Sequence, residues 1–78
     1  SGVVIIAKTE DEKVSFIVRV SDDLTKQVSA GNIVREIAPI VGGRGGGKPD
    51  MAEGGGTEAG KLNEAITASY KVIEKMLA

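Results

Sequence analysis

Apolar and polar positions alternate along residues 13–20, where Val14, Phe16, Val18 and Val20 interleave with Ser15, Ile17 and Arg19. A period of two predicts a half-buried strand, with Arg19 on its solvated side. Upstream, Val3, Val4, Ile5, Ile6 and Ala7 form an unbroken, mostly β-branched run. Such a run predicts a strand buried on both faces. Thr9, Glu10, Asp11 and Glu12 between them predict a hairpin loop of about four residues. Asp22 and Asp23 are placed to cap a short helical turn at Leu24.

From Ser29 the period lengthens. Ile33, Ile37 and Ile40 share one helical face, with Val34, Ala38 and Val41 beside them. Ser29 is the expected N-cap, and Gly31 weakens the first turn. Pro39 cannot donate back to the Arg35 carbonyl, so a kink or an early end is expected there. Gly42 or Gly43 should take the left-handed position that closes the helix. Residues 50–53 suit one short edge strand. Thr57 suits an N-cap, and a last helix should start between Thr57 and Leu62 and run to the C-terminus. Its buried stripe is Leu62, Ile66, Ser69, Ile73, Met76 and Leu77, with Tyr70 at the core or its edge. Lys61, Glu64, Lys71, Glu74 and Lys75 then face water.

These elements assemble as β-β-α-β-α, an α+β fold. The expected sheet is small and mixed, of about three strands in a split β-α-β arrangement with two helices on one face. Strand one would lie in the middle, and strand three would run parallel to strand two. The outer face of the first strand then needs cover, which a neighbouring domain could supply.

Composition narrows the picture. Seventy-eight residues make a single small domain, residues 1–78. A chain of this size buries somewhat more than roughly 60% of its unfolded surface. Phe16 and Tyr70 are the only aromatic residues, so the core must be aliphatic. Cys and His are both absent. That excludes disulfides and thiolate metal sites, and removes the commonest general base. With no nucleophile–base pair either, catalysis within this chain is disfavoured. No apolar run approaches the ~20 residues of a membrane span. Residues 2–7 are too short for a signal peptide and lack a basic start. The chain has no initiator Met and opens directly on a strand-like run, so it reads as a fragment of a longer protein.

The net charge of −1 argues against a long electrostatic groove for nucleic acid. Acidic residues cluster at Glu10, Asp11 and Glu12 and at Asp22 and Asp23, whereas Arg44 and Lys48 are the only charges between Ile37 and Pro49. A local basic patch on a near-neutral domain suits a small, shape-specific contact.

That patch lies in the segment VGGRGGGKPDMAEGGGT, residues 41–57, which holds most of the glycines. Gly42 followed by Gly47 and Lys48 approaches a phosphate-binding P-loop. Pro49 stands where a P-loop needs Ser or Thr, and the segment follows a predicted helix rather than a strand, so an ATPase is rejected. Gly42-Gly43-Arg44-Gly45 also fits the Gly-x-x-Gly clamp of KH domains, a weaker alternative with related chemistry. The favoured chemistry is nucleic-acid binding. Amide groups of Gly45, Gly46 and Gly47 would meet phosphate or sugar oxygens. Arg44 would grip a phosphate or stack on a base, and Lys48 would act as a mobile charge. Gly43, Asp50 and Met51 complete the candidate site. Gly54, Gly55 and Gly56 serve either that surface or packing against the first cluster.

The same run, Gly-Gly-basic-Gly-Gly-Gly-basic-Pro-Asp-Met-Ala leading to a second glycine cluster and Thr57, resembles the signature near the C-terminus of bacterial alanyl-tRNA synthetases. The resemblance extends upstream through residues 13–20, Asp23-Leu24-Thr25 and Ala30-Gly31. The wider group is the DHH-associated domain, which also occurs in phosphoesterases that act on nucleic acids. Those usually carry His where this chain has Lys48, which favours the synthetase branch. The resemblance implies a C-terminal domain that holds the tRNA elbow and helps join aminoacylation to editing in a cytoplasmic alanine-tRNA ligase. A freestanding alanyl-tRNA editing protein is an alternative parent. DNA or another single-stranded nucleic acid is a further implied partner, with the parent's neighbouring domains. The fragment itself would need no cofactor, and the parent's ATP and zinc sites would lie elsewhere. The rival class is an interaction module that docks a domain or caps an oligomer. It would show a large exposed apolar patch on the sheet face carrying Ile17, with Arg44 and Lys48 pointing away from any common surface.

Overall fold

The computed structural model describes residues 2–77. The chain runs β1 (Val3–Glu10), β2 (Lys13–Val20), α1 (Ala30–Ile37), β3 (Arg44–Gly47), β4 (Met51–Gly56) and α2 (Leu62–Leu77), with short 3₁₀ segments at Asp22–Leu24, Ala38–Val41 and Ala59–Lys61. The α+β class and the two helices are as expected. The last helix was expected to reach the C-terminus, and Ala78 lies outside the described residues.

β2 keeps the alternation of its sequence, with Val14, Phe16, Val18 and Val20 buried. They form the core with Ile33, Val34 and Ile37 of α1 and with Val28, Ala38 and Val41. β1 pairs antiparallel with β2 through a two-residue turn, Asp11 (φ 49°) and Glu12 (φ 67°). This is tighter than the expected four-residue loop. Two successive positive φ values match the right-handed twist of the flanking strands, so Thr9 and Glu10 stay in the ladder.

The sheet corrects two expectations. It has four strands in the order β1-β2-β4-β3, and every pairing is antiparallel. β2 is therefore an inner strand, where strand one is expected from sequence, and β4, the strand expected to run parallel to it, is its antiparallel neighbour. The physical reason is that β3 and β4 form a hairpin, with β4 laid against the free edge of β2. The first glycine cluster is a strand rather than a loop, and the second extends β4 to Gly56. Glycine's low strand propensity hid both. β4 is accordingly an inner strand instead of the expected edge.

α1 begins at its expected cap, where the Ser29 hydroxyl accepts from the Asn32 amide at 3.3 Å. It ends before Pro39, which sits in the first turn of the 3₁₀ segment, and Gly42 closes that segment in the left-handed conformation (φ 72°). The 3₁₀ turn at Asp22–Leu24 has no side-chain cap, so Asp22 and Asp23 stand in its first turn instead of capping it. Thr57 is likewise not a cap: α2 is entered through the 3₁₀ segment Ala59–Lys61. α1 covers the sheet, and α2 packs chiefly against α1 and the segment following it. Ala65 and Ser69 are the buried positions of α2. Tyr70, expected at the core or its edge, is 64% exposed, and Leu77, expected in the buried stripe, is 49% exposed.

Candidate nucleic-acid interface

The β3–β4 hairpin is held by α1. The amides of Ala30 and Gly31 donate to the carbonyls of Pro49 (2.9 Å) and Lys48 (3.2 Å). Together with the Ser29 cap, this satisfies the first-turn amides of the helix with protein oxygens. Farther along α1, Val34 lies over Gly45 and Gly54. A Cβ on Gly54 would stand 2.6 Å from Val34 Cγ1, and one on Gly45 would meet the same atom. These two glycines serve packing: they let a helix seat directly on strand backbone.

The ladder decides where the amide groups of the glycine triplet point. Lys48 N–H donates to the Met51 carbonyl at 2.9 Å. In the observed register Gly46 pairs with Glu53 and Arg44 with Gly55. Alternation then directs the N–H groups of Gly46 and Arg44 into the ladder and those of Gly45 and Gly47 off the sheet edge. Of the three glycine amides expected to face a ligand, that of Gly46 is directed into the ladder instead.

Gly46 differs from its neighbours. Its φ is not positive, and a Cβ built there meets only Arg35 Nε, at 3.6 Å. Space rather than backbone conformation is what glycine supplies at this position. Arg35 also donates from Nη1 to Asn32 Oδ1 at 3.5 Å. It joins Arg44 and Lys48, both exposed, as a third cation along the β3 edge. In the sequence Arg35 is one polar position on an amphipathic helix, and nothing there marks it as part of this edge. Among the described residues Arg44 and Lys48 form no ion pair. Asp50, exposed in the hairpin turn, is tied by its backbone carbonyl to Val20 N–H at 2.9 Å. Gly43 leads into β3, and its amide donates to the Ala38 carbonyl at 3.0 Å. Met51 lies opposite Arg19 and is 42% exposed.

The second glycine cluster resolves toward packing. A Cβ on Gly55 would meet the Val14 carbonyl, and one on Gly56 the Val41 carbonyl. The sheet face away from α1 carries Val4 (54% exposed), Ile6 (59%), Ile17 (37%) and Met51. The first strand is therefore covered on one face only, correcting its expected burial on both. This is the apolar patch that an interaction module was expected to show. The cations do not point away from it, however. Register places Arg44 in line with Gly55, Ser15 and Lys8 on that same face. Among the described residues no helix is long and apolar enough to cross a membrane.

Comparison with known proteins agrees with this architecture. The alanine-tRNA ligase of Solibacter usitatus is 48% identical over 77 residues, covering 99% of this chain and 9% of that protein. The alanine-tRNA ligase of Natranaerobius thermophilus is 48% identical over 79 residues, again covering 9% of its length. The chain thus spans about a tenth of these relatives. The crystal structure of the C-Ala domain from Aquifex aeolicus alanyl-tRNA synthetase superposes with a TM-score of 0.81 at 35% identity, covering 96% of this chain and 64% of that one. The profile of the DHHA1 domain matches residues 1–75. With nearly its whole length matched, this chain belongs to the DHHA1 domain family.

Proposed function

We propose that residues 1–78 are a C-terminal tRNA-binding domain of a cytoplasmic alanine-tRNA ligase, and that the glycine strand β3 with its turn meets the tRNA elbow. The observation that carries this reading is the open site at Gly46, flanked by Arg35, Arg44 and Lys48. A flat stretch of backbone can support an exposed base pair. The outward amides of Gly45 and Gly47 can donate to phosphate or sugar oxygens, and the cations can hold the flanking phosphates. Asp50 and Met51 border this surface at the turn. The domain itself performs no chemistry. It adds affinity and position to a parent whose ATP and zinc sites lie elsewhere, helping to present one tRNA to aminoacylation and editing. Its similarity to alanine-tRNA ligases and to a C-Ala domain supports this reading.

Titration of the chain with whole tRNA and with tRNA lacking its elbow tests it. Binding should weaken sharply when the elbow is removed. Equal affinity for both would overturn the elbow assignment. Three cations neutralising phosphates should give a shallow salt dependence, with log K falling at a slope of about −2 to −3 against log salt. A slope near −10 would mean that basic residues across the whole surface take part.

A further inference from the structure

One acid stands inside the cationic surface at β3. In the ladder Glu53 lies opposite Gly46 on one side and Ile17 on the other, so its side chain shares the open face with both. Arg44, two residues before Gly46, is its diagonal neighbour. Gly46 has no side chain to cover the space beside the carboxylate. A Cβ built there meets only Arg35 Nε, at 3.6 Å. Glu53 is exposed. Among the described residues its side chain makes no ion pair and no hydrogen bond, despite the cations around it. On a surface that held phosphates alone, a carboxylate in this place would only weaken binding.

We infer that Glu53 is a specificity-determining residue of this surface: its carboxylate accepts a hydrogen bond from a base amino group or a ribose 2′-hydroxyl of the nucleotide that rests on Gly46. The inference rests on the tRNA-binding role proposed for the glycine strand. An ionised carboxylate is an acceptor only. Phosphate oxygens and base carbonyls are acceptors too, so none of them is its partner. The donors that a paired nucleotide still offers are its exocyclic amino group and its 2′-hydroxyl. A nucleotide lying on the Gly46 backbone turns one edge toward β4, where the Glu53 side chain rises about 5 Å away. A nucleotide that presents only acceptors along that edge sets its lone pairs against the carboxylate and is rejected. Arg35, Arg44 and Lys48 attract the phosphates, and Glu53 selects what lies between them.

Titrating Glu53→Ala and Glu53→Gln with intact tRNA separates this role from plain charge repulsion, because the two predict opposite signs. Repulsion predicts tighter binding by both variants, since each removes a negative charge near phosphate. A hydrogen-bonding role predicts that Glu53→Ala binds about ten-fold more weakly. Glu53→Gln keeps a carbonyl acceptor at the same reach, so it should bind closer to the parent than to Glu53→Ala. Glu53 is exposed, so both variants should keep the fold, which circular dichroism checks. Two substituted tRNAs identify the donor: one whose elbow bases lack their exocyclic amino groups, and one whose elbow riboses lack their 2′-hydroxyls. On one of them the parent and Glu53→Ala should bind alike. Parental or tighter binding of intact tRNA by Glu53→Ala overturns the inference. So does an equal loss with Gln and Ala, which would make the charge matter rather than the acceptor. So does a deficit of Glu53→Ala that persists on both substituted tRNAs. A tRNA lacking its elbow is the last arm. If the parent binds it as well as whole tRNA, the elbow assignment falls and this inference with it. If binding depends on the elbow but not on Glu53, this inference alone falls.

Discussion

Gly56→Ala should lower stability by about 3 kcal/mol or more, a large share of the total for so small a domain. Gly56 ends β4, paired with Val14. A Cβ there would meet the Val41 carbonyl oxygen, lie 2.7 Å from its carbon and 2.9 Å from the Gly43 amide nitrogen. All three atoms are backbone, so no rotamer change relieves the crowding. The 3₁₀ segment would have to lift away, exposing Val41 and Ala38, both fully buried. For a chain of this length the loss corresponds to a fall in Tm of about 10–20 °C. Thermal unfolding followed by circular dichroism measures it, with Gly46→Ala as the control expected to melt near the parent. A Gly56→Ala chain within about 1 kcal/mol of the parent would show that the hairpin adjusts freely, and the packing role of the second glycine cluster would fall.

Gly46→Val should do the reverse, leaving the fold intact and weakening tRNA binding at least about ten-fold. Valine suits a strand better than glycine does. The φ at Gly46 is not positive, and only Arg35 Nε stands near the new Cβ. The branched side chain would then hold nucleic acid away from the backbone and push Arg35 aside. Lys48→Ala should have a smaller effect, on the order of 1 kcal/mol, because it removes one solvent-screened charge. Titrating both folded variants with intact tRNA separates two kinds of site. Parental binding by Gly46→Val together with loss of binding by Lys48→Ala would mean a charged patch rather than a backbone platform.

The contrast between these glycines marks the limit of sequence reading. β2 and α1 were legible because Val14, Phe16, Val18 and Val20 keep a period of two, while Ser29, Pro39 and Gly42 punctuate the helix by their own backbone chemistry. The glycine hairpin was not legible. Gly45, Gly46 and Gly47 have no side chains to carry a period, and they join the sheet only because β4 lies beside β2 and Val34 settles on Gly45 and Gly54. With that strand hidden, the chain appeared one strand short and β1 was placed at the centre. The composition of the candidate site was visible in Arg44, the glycine triplet and Lys48. Its division of labour was not, because which glycine is open and which carries a helix depends on the far side of the sheet. Arg35 entered the site for the same reason.

The most direct test is an NMR titration of the isotopically labelled chain with intact tRNA, read residue by residue. Binding through the glycine strand predicts that the amides of Arg44, Gly45, Gly46, Gly47 and Lys48 shift first and most, with Arg35 following. Shifts centred on Ile6, Ile17 and Arg19, with β3 silent, would contradict it and move the contact to the open sheet face.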